Sequence, residues 1–215
     1  MMMRKTKLAR GEIYHILNRG VDKRNIFTNQ EEIGRFFECM LTFNSIELAG
    51  SLYEQSFVKE KTKNKPLVKF IAYCLLPNHF HFILEQIEKD GISKFMKRLL
   101  GGYSWYFNKK HKRSGSLFQG PFKAKHIDSN KYLLHASAYV NLNDKQKGEL
   151  GDQVAKLIKS SWNEYVDPKN CLFEICAQKE IVLGQFHSRE EYKKFALSSL
   201  ENIKANKEKY KELEK

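Results

Sequence analysis

Two histidines, His79 and His81, stand one residue apart in the run HFHFILEQ, directly after the turn pair Pro77-Asn78. A run so rich in aromatic and β-branched residues predicts a strand. Period two then places both imidazoles on one sheet face and turns Phe80 toward the other. Imidazoles side by side suit one divalent ion, although two satisfied core histidines would show the same spacing. No Cys-x-x-Cys follows and no Glu separates the pair, which disfavours zinc-deaminase chemistry; Cys171 and Cys176 lack two further ligands nearby. A second group comes later. His135, Tyr139 and Asn143 recur every four residues, on one face of a helix predicted from Asp128 or Ser129 to about Leu142. Tyr139 offers a nucleophilic hydroxyl and Asn143 an amide oxygen for a cation. His135 is a candidate general base one turn away, with His126 and His111 as alternatives. The bland reading makes Tyr139 a core residue and Asn143 a helix cap.

The elements that must position these groups follow from the patterning. Glu12–Asn18 alternates apolar and polar residues and predicts a strand closed by Arg19-Gly20. Thr28 or Asn29 caps a helix from about Gln30 to Glu47. Ser51–Pro66 is a polar, lysine-rich loop. Val68–Leu76 and His79–Gln86 are strands joined at Pro77-Asn78. A helix from Gly91 or Ser93 to about Lys110, the loop HKRSGSLFQGPF and a short strand Ala124–Ile127 lead to the Tyr139 helix. The order β-α-β-β-α-β predicts an α+β, ferredoxin-like (split βαβ) antiparallel sheet with helices on one face and the other open. Residues 1–144 form this unit, and 145–215 a helical accessory region.

Composition narrows the partner. The chain has 215 residues, 38 Lys+Arg against 25 Asp+Glu, and a net charge of +13. It shows neither a membrane-length apolar stretch nor a secretory h-region, and its four cysteines form no paired framework. These features predict a soluble intracellular protein that meets polyanions and no membrane. Nine basic residues and no acidic one fall between Lys94 and Lys125: Lys94, Lys97, Arg98, Lys109, Lys110, Lys112, Arg113, Lys123 and Lys125. Aromatic residues interleave with them, a mixture suited to a single nucleic-acid strand. A solvated helix whose rings enter the core would also have this composition. With Arg19, these nine are the candidate DNA-binding residues.

Four motifs in order carry a family resemblance. PNHFHF (Pro77–Phe82), YHILNRG (Tyr14–Gly20), YFNKKHKRSGSLFQGPFKAK (Tyr106–Lys125) and SAYVNLN (Ser137–Asn143) are similar to single-tyrosine HUH transposases, in the branch of REP-associated tyrosine transposases of bacteria. SSWNEY (Ser160–Tyr165) fits the same branch. The resemblance implies a bacterial, cytoplasmic, nucleoid-associated endonuclease and strand transferase acting on single-stranded or hairpin DNA. It implies Tyr139 as the nucleophile, His79, His81 and Asn143 as ligands of Mg²⁺ or Mn²⁺, and a protein that is commonly a homodimer. Ala138, Asn141, Asp144 and Pro121 depart from the family pattern without removing a catalytic group. A domesticated relative that grips REP-like palindromes without cutting them is the alternative. An RNA-binding ferredoxin-like module would leave the histidines and tyrosine unexplained.

Overall fold

The structure is a computed structural model and describes residues 6–47, 65–143, 155–171 and 174–205. Most of the expected 51–66 loop, Asp144 and the last ten residues lie outside the described residues. Five strands, β1 (Ile13–Arg19), β2 (Val68–Leu76), β3 (His79–Gln86), β4 (Lys123–Ile127) and β5 (Lys159–Ser160), form one sheet in the order β4-β1-β3-β2-β5. All pairings are antiparallel. The first four strands give the split βαβ order expected from the sequence.

Helix α1 (Gln30–Thr42) starts where Asn29 accepts a hydrogen bond from the Glu32 amide, while the Glu32 carboxylate takes the Thr28 amide at 2.7 Å. This reciprocal arrangement satisfies two otherwise orphaned donors. The helix ends short of the expected Glu47. Phe43 turns in against Gly102, and Asn44 accepts hydrogen bonds from the Leu67 and Val68 amides, fastening the chain to β2. Helix α2 (Gly91–Lys110) and α1 cover one sheet face with Phe36, Phe95, Leu99 and Tyr103 packed on Phe70, Phe80 and Phe82.

The other face, expected to be open, is covered. Helix α3 (Asn130–Asn141), capped by Ser129, lies on Ile71, Cys74, Leu76 and Ile83. Outside it pack α4 (Trp162–Val166), α5 (Glu180–Leu183) and α6 (Arg189–Ala205). The C-terminal segment is stitched into the sheet. β5 pairs with β2, the Tyr165 hydroxyl donates to the Ile71 carbonyl at 2.7 Å, and Ser161 bonds Tyr73. Weak hydrophobic periodicity hid this, because α4 and α5 are single turns whose stability comes from packing rather than propensity. Among the described residues no helix is long and apolar enough to cross a membrane, and the four cysteines form no disulfide with one another.

Candidate nucleophile and metal site

The register decides what surrounds the histidines. Across β3, Leu17 and Cys74 oppose His81, while Arg19 and Leu76 oppose His79. His15 is therefore diagonal to His81 on the same face, and Lys123 and Lys125 on β4 oppose Leu17 and His15. All three histidines are buried. The rings of His79 and His81 are 5.1 Å apart, and those of His15 and His81 stack at 5.2 Å.

The two β3 histidines have their Nδ1 atoms engaged, whereas the His15 Nδ1 is buried with no hydrogen-bond partner among the described residues. His79 Nδ1 meets Asn78 Oδ1 at 2.5 Å, and His81 Nδ1 meets His15 Nε2 at 3.0 Å. An imidazole whose Nδ1–H donates carries its lone pair on Nε2, the atom that would bind a cation. Sequence reasoning missed His15, although it stands in the YHILNRG motif and alternates with Tyr14. Only the β1–β3 register, which pairs Leu17 with His81, reveals its role. Burial, followed by the Lys125 charge, pushes the His15 pKa down to about 4. It is thus a neutral imidazole at pH 7.

α3 brings Tyr139 onto this cluster. Its ring lies edge-on to His81 at 5.6 Å and to His15 at 6.2 Å between centroids. Tyr139 is 1% exposed. Asn143, just past the helix, is also buried, and its Nδ2 has no hydrogen-bond partner among the described residues. The unpaired atom is the amide nitrogen, a donor; with the amide turned over, its oxygen and the two imidazole Nε2 atoms would make a donor set of two nitrogens and one oxygen. Among the described residues no group of three or more His, Cys, Asp or Glu could hold a metal, so a set built on the two β3 histidines would need the amide. Two imidazoles and one amide oxygen would leave coordination positions open for water and phosphate on a divalent ion.

The other sequence candidates fall elsewhere. His135 Nδ1 pairs with Ser199 at 2.8 Å and its ring rests on Phe195, so α6 rather than Tyr139 engages it. His111 Nε2 meets Glu32 and His126 Nε2 meets Glu12. Of the basic residues, Arg19, Lys123 and Lys125 share the histidine face. Arg19, Gln119 and Lys123 help line a cleft of about 270 Å³ at that end of the sheet. Lys94, Lys97, Arg98, Lys109 and Lys110 ride on α2, behind the opposite face, with Lys112 and Arg113 just beyond it. Four of these have hydrogen-bond or ion-pair partners: Lys94 donates to the Lys89 carbonyl, Arg98 to the Ser45 carbonyl, Lys110 pairs with Glu31 at 2.7 Å, and Arg113 donates to Asn108.

Residues 11–143 match the sequence model of the family described as "Transposase IS200 like". This chain belongs to the IS200-like transposase family. A comparison with the curated proteins finds no match. Among solved structures, one described as "Structure of the REP associates tyrosine transposase bound to a REP hairpin" superposes with a TM-score of 0.53. The match covers 82% of this chain and 90% of that chain at 14% identity. At that identity the two share a fold. The family match spans both histidine strands and the whole of α3, and it ends at Asn143.

Proposed function

We propose that this transposase-family protein is a metal-dependent endonuclease and strand transferase. It would cleave and rejoin single-stranded or hairpin DNA through a 5′-phosphotyrosyl intermediate. The observation that supports this most directly is the placement of Tyr139 edge-on to His81 on a face that also carries His79 and His15.

In this reading the Tyr139 hydroxyl oxygen forms a bond to the scissile phosphorus as the bond to the 3′-oxygen breaks. The phenolic proton leaves Tyr139, and the 3′-oxygen takes up a proton to depart as a hydroxyl. An incoming 3′-hydroxyl then reverses the exchange, so the bond energy stays in the phosphoester and no nucleotide cofactor is consumed. His79 and His81 through Nε2, with the Asn143 amide, would hold a divalent cation. Bound there, the cation would polarise a non-bridging oxygen and offset charge in the transition state. His15 serves as a positioning residue: by accepting from His81 Nδ1 it presents the Nε2 lone pair of His81. Arg19, Lys123 and Lys125 carry the charge that steadies the flanking phosphates on the same face.

Tyr139 is buried in this conformation, so attack on a polynucleotide requires α3 to shift relative to the sheet. Besides its packing on the sheet, α3 is held on its outer side by the C-terminal segment. Asn141 Nδ2 donates to the Tyr192 hydroxyl at 2.8 Å, and Ser161 donates to Asn141 Oδ1 at 2.5 Å.

The test is direct. Wild type incubated with a labelled single-stranded hairpin and Mn²⁺ should give a covalent band on a denaturing gel, and Tyr139→Phe should give none while still binding the DNA. An adduct in Tyr139→Phe would remove the tyrosine from its role. Hairpin binding by wild type with no adduct under any divalent ion would leave the non-cutting binder as the better description.

A further inference from the structure

Helix α2 has a buried and an outward face. Phe95, Met96, Leu99, Tyr103 and Phe107 enter the core, whereas Lys94, Lys97, Gly101, Trp105 and Lys109 are exposed. Trp105 is 62% exposed, the highest value among the exposed large apolar side chains of the described residues. An indole left in water forfeits its burial energy, and among the described residues no packing contact accounts for its position. The Lys109 ammonium sits 5.0 Å from the indole centroid. One turn earlier Gly101 leaves open space, since a Cβ there would meet nothing within 4 Å. Glycine in a helix interior costs about 1 kcal/mol relative to alanine. Gly102 is explained by the Phe43 ring packed on it, but among the described residues nothing near Gly101 requires a glycine there.

The chemistry of the patch selects its occupant. From Lys94 to Lys125 there is no acidic residue, and Lys97 and Lys109 flank the ring one to two turns away on the exposed face. An exposed indole with one cation over its ring and a second on the same helix face matches an unpaired base, taken on the other ring face, with its neighbouring phosphates. The fold also supplies a route to it. The loop after α2 is tied to the Arg19 end of β1, because the Val21 amide donates to the Leu117 carbonyl and the Gln119 amide to the Arg19 carbonyl. That end is the one in register with His79. Basic residues therefore continue from Lys109 through Lys112 and Arg113 to Lys123 and Lys125 on the histidine face.

We propose that Trp105 is a stacking platform for an unpaired base of the DNA, with Lys97 and Lys109 on the adjacent phosphates. A strand engaged at the histidine face passes around the Arg19 end of the sheet to reach it. This rests on the reading of the protein as acting on single-stranded or hairpin DNA.

Trp162→Phe leaves Trp105 as the sole tryptophan, because the chain has two. Its fluorescence is followed while hairpin DNA is added, either blunt or with a single-stranded tail of increasing length. The expected result is quenching that appears only beyond a threshold tail length. Trp105→Ala should weaken binding of the long-tailed hairpin by roughly 5- to 150-fold, the range of one lost base stack, while Trp105→Phe retains most of it. Lys97→Ala with Lys109→Ala should flatten the salt dependence of tailed binding. The proposal is overturned by equal affinity of wild type and Trp105→Ala for every tail length, or by absence of quenching with all oligonucleotides. It is equally overturned by stronger quenching with the matching RNA. An emission maximum that shifts to the blue with protein concentration alone would identify a second copy of the chain as the occupant instead. Tail-dependent quenching without any covalent adduct would sustain the platform and count against the cleavage reading. An adduct with tail-independent binding would do the reverse.

Discussion

Replacing His15 with leucine probes the candidate centre without touching a proposed ligand or the nucleophile. His15 is neutral at pH 7, its pKa held near 4 by burial and by Lys125. The 3.0 Å contact between His15 Nε2 and His81 Nδ1 then has one proton to place. With the proton on His15, His81 keeps its own on Nε2 and cannot ligate. With the proton on His81 Nδ1, His15 accepts and the His81 Nε2 lone pair is presented. In His15→Leu the ligating tautomer alone loses an acceptor in a buried site, a cost of about 1–3 kcal/mol. At about 1.4 kcal/mol per tenfold, Mn²⁺ affinity should fall by roughly 5- to 150-fold. This overlaps the usual effect of removing a residue that orients a metal ligand. His15→Gln, whose amide oxygen can accept from Nδ1–H, should recover most of the affinity. Titrating DNA-free protein with Mn²⁺, by calorimetry or by the resonance of the free ion, measures this without relying on catalysis. Thermal unfolding of the metal-free variants controls for packing. Binding of Mn²⁺ by His15→Leu within about twofold of wild type, with normal unfolding, would refute the reasoning.

The remaining predictions concern the segment that closes over the histidine face. Tyr192→Phe removes the hydroxyl that accepts from Asn141 Nδ2 and pairs with Ser137, leaving a buried amide unsatisfied. Stability should drop by about 1–3 kcal/mol in a denaturant titration, and hydrogen exchange should rise across α3. Glu164 is buried, and that burial raises its pKa, while the Cys176 and Ile175 amides that donate to it oppose the rise. A carboxyl whose folded-state pKa is raised holds its proton more tightly when folded. Its contribution to stability is therefore lost as pH rises through that raised value. Urea midpoints of wild type should decline as pH rises above the ordinary carboxylate range, relative to Glu164→Gln, and parallel midpoints would show that Glu164 contributes no such dependence.

Much of the architecture was legible from residue order. Alternation in Glu12–Asn18 and the turn chemistry of Pro77-Asn78 mark strands that the structure contains, and Asn29 and Ser129 cap the helices as side-chain chemistry requires. Helix ends were less legible. α1 stops at Thr42 because Asn44 bonds the start of β2, a contact 23 residues away in the chain. The covered second face could not be read at all. β5 is two residues long and α4 and α5 one turn each, so neither period nor propensity marks them, and only burial against Tyr73, Ile71 and α3 makes them stable.

The same division runs through the candidate site. Local spacing by itself determined that His79 and His81 share a sheet face, because a strand has period two. It likewise put His135, Tyr139 and Asn143 on one side of a helix. Which of these groups meet was decided by tertiary structure. The β1–β3 register brought in His15, and α3 laid Tyr139 across that histidine pair while His135 turned to Ser199. Charge shows the difference most plainly. Composition concentrates nine cations between Lys94 and Lys125, but the sheet divides them, with Lys123 and Lys125 beside the histidines and the α2 residues behind the opposite face. Periodicity is a property of neighbours in the chain, whereas strand pairing and helix packing join residues dozens of positions apart. Only the folded sheet could separate one basic stretch into two surfaces.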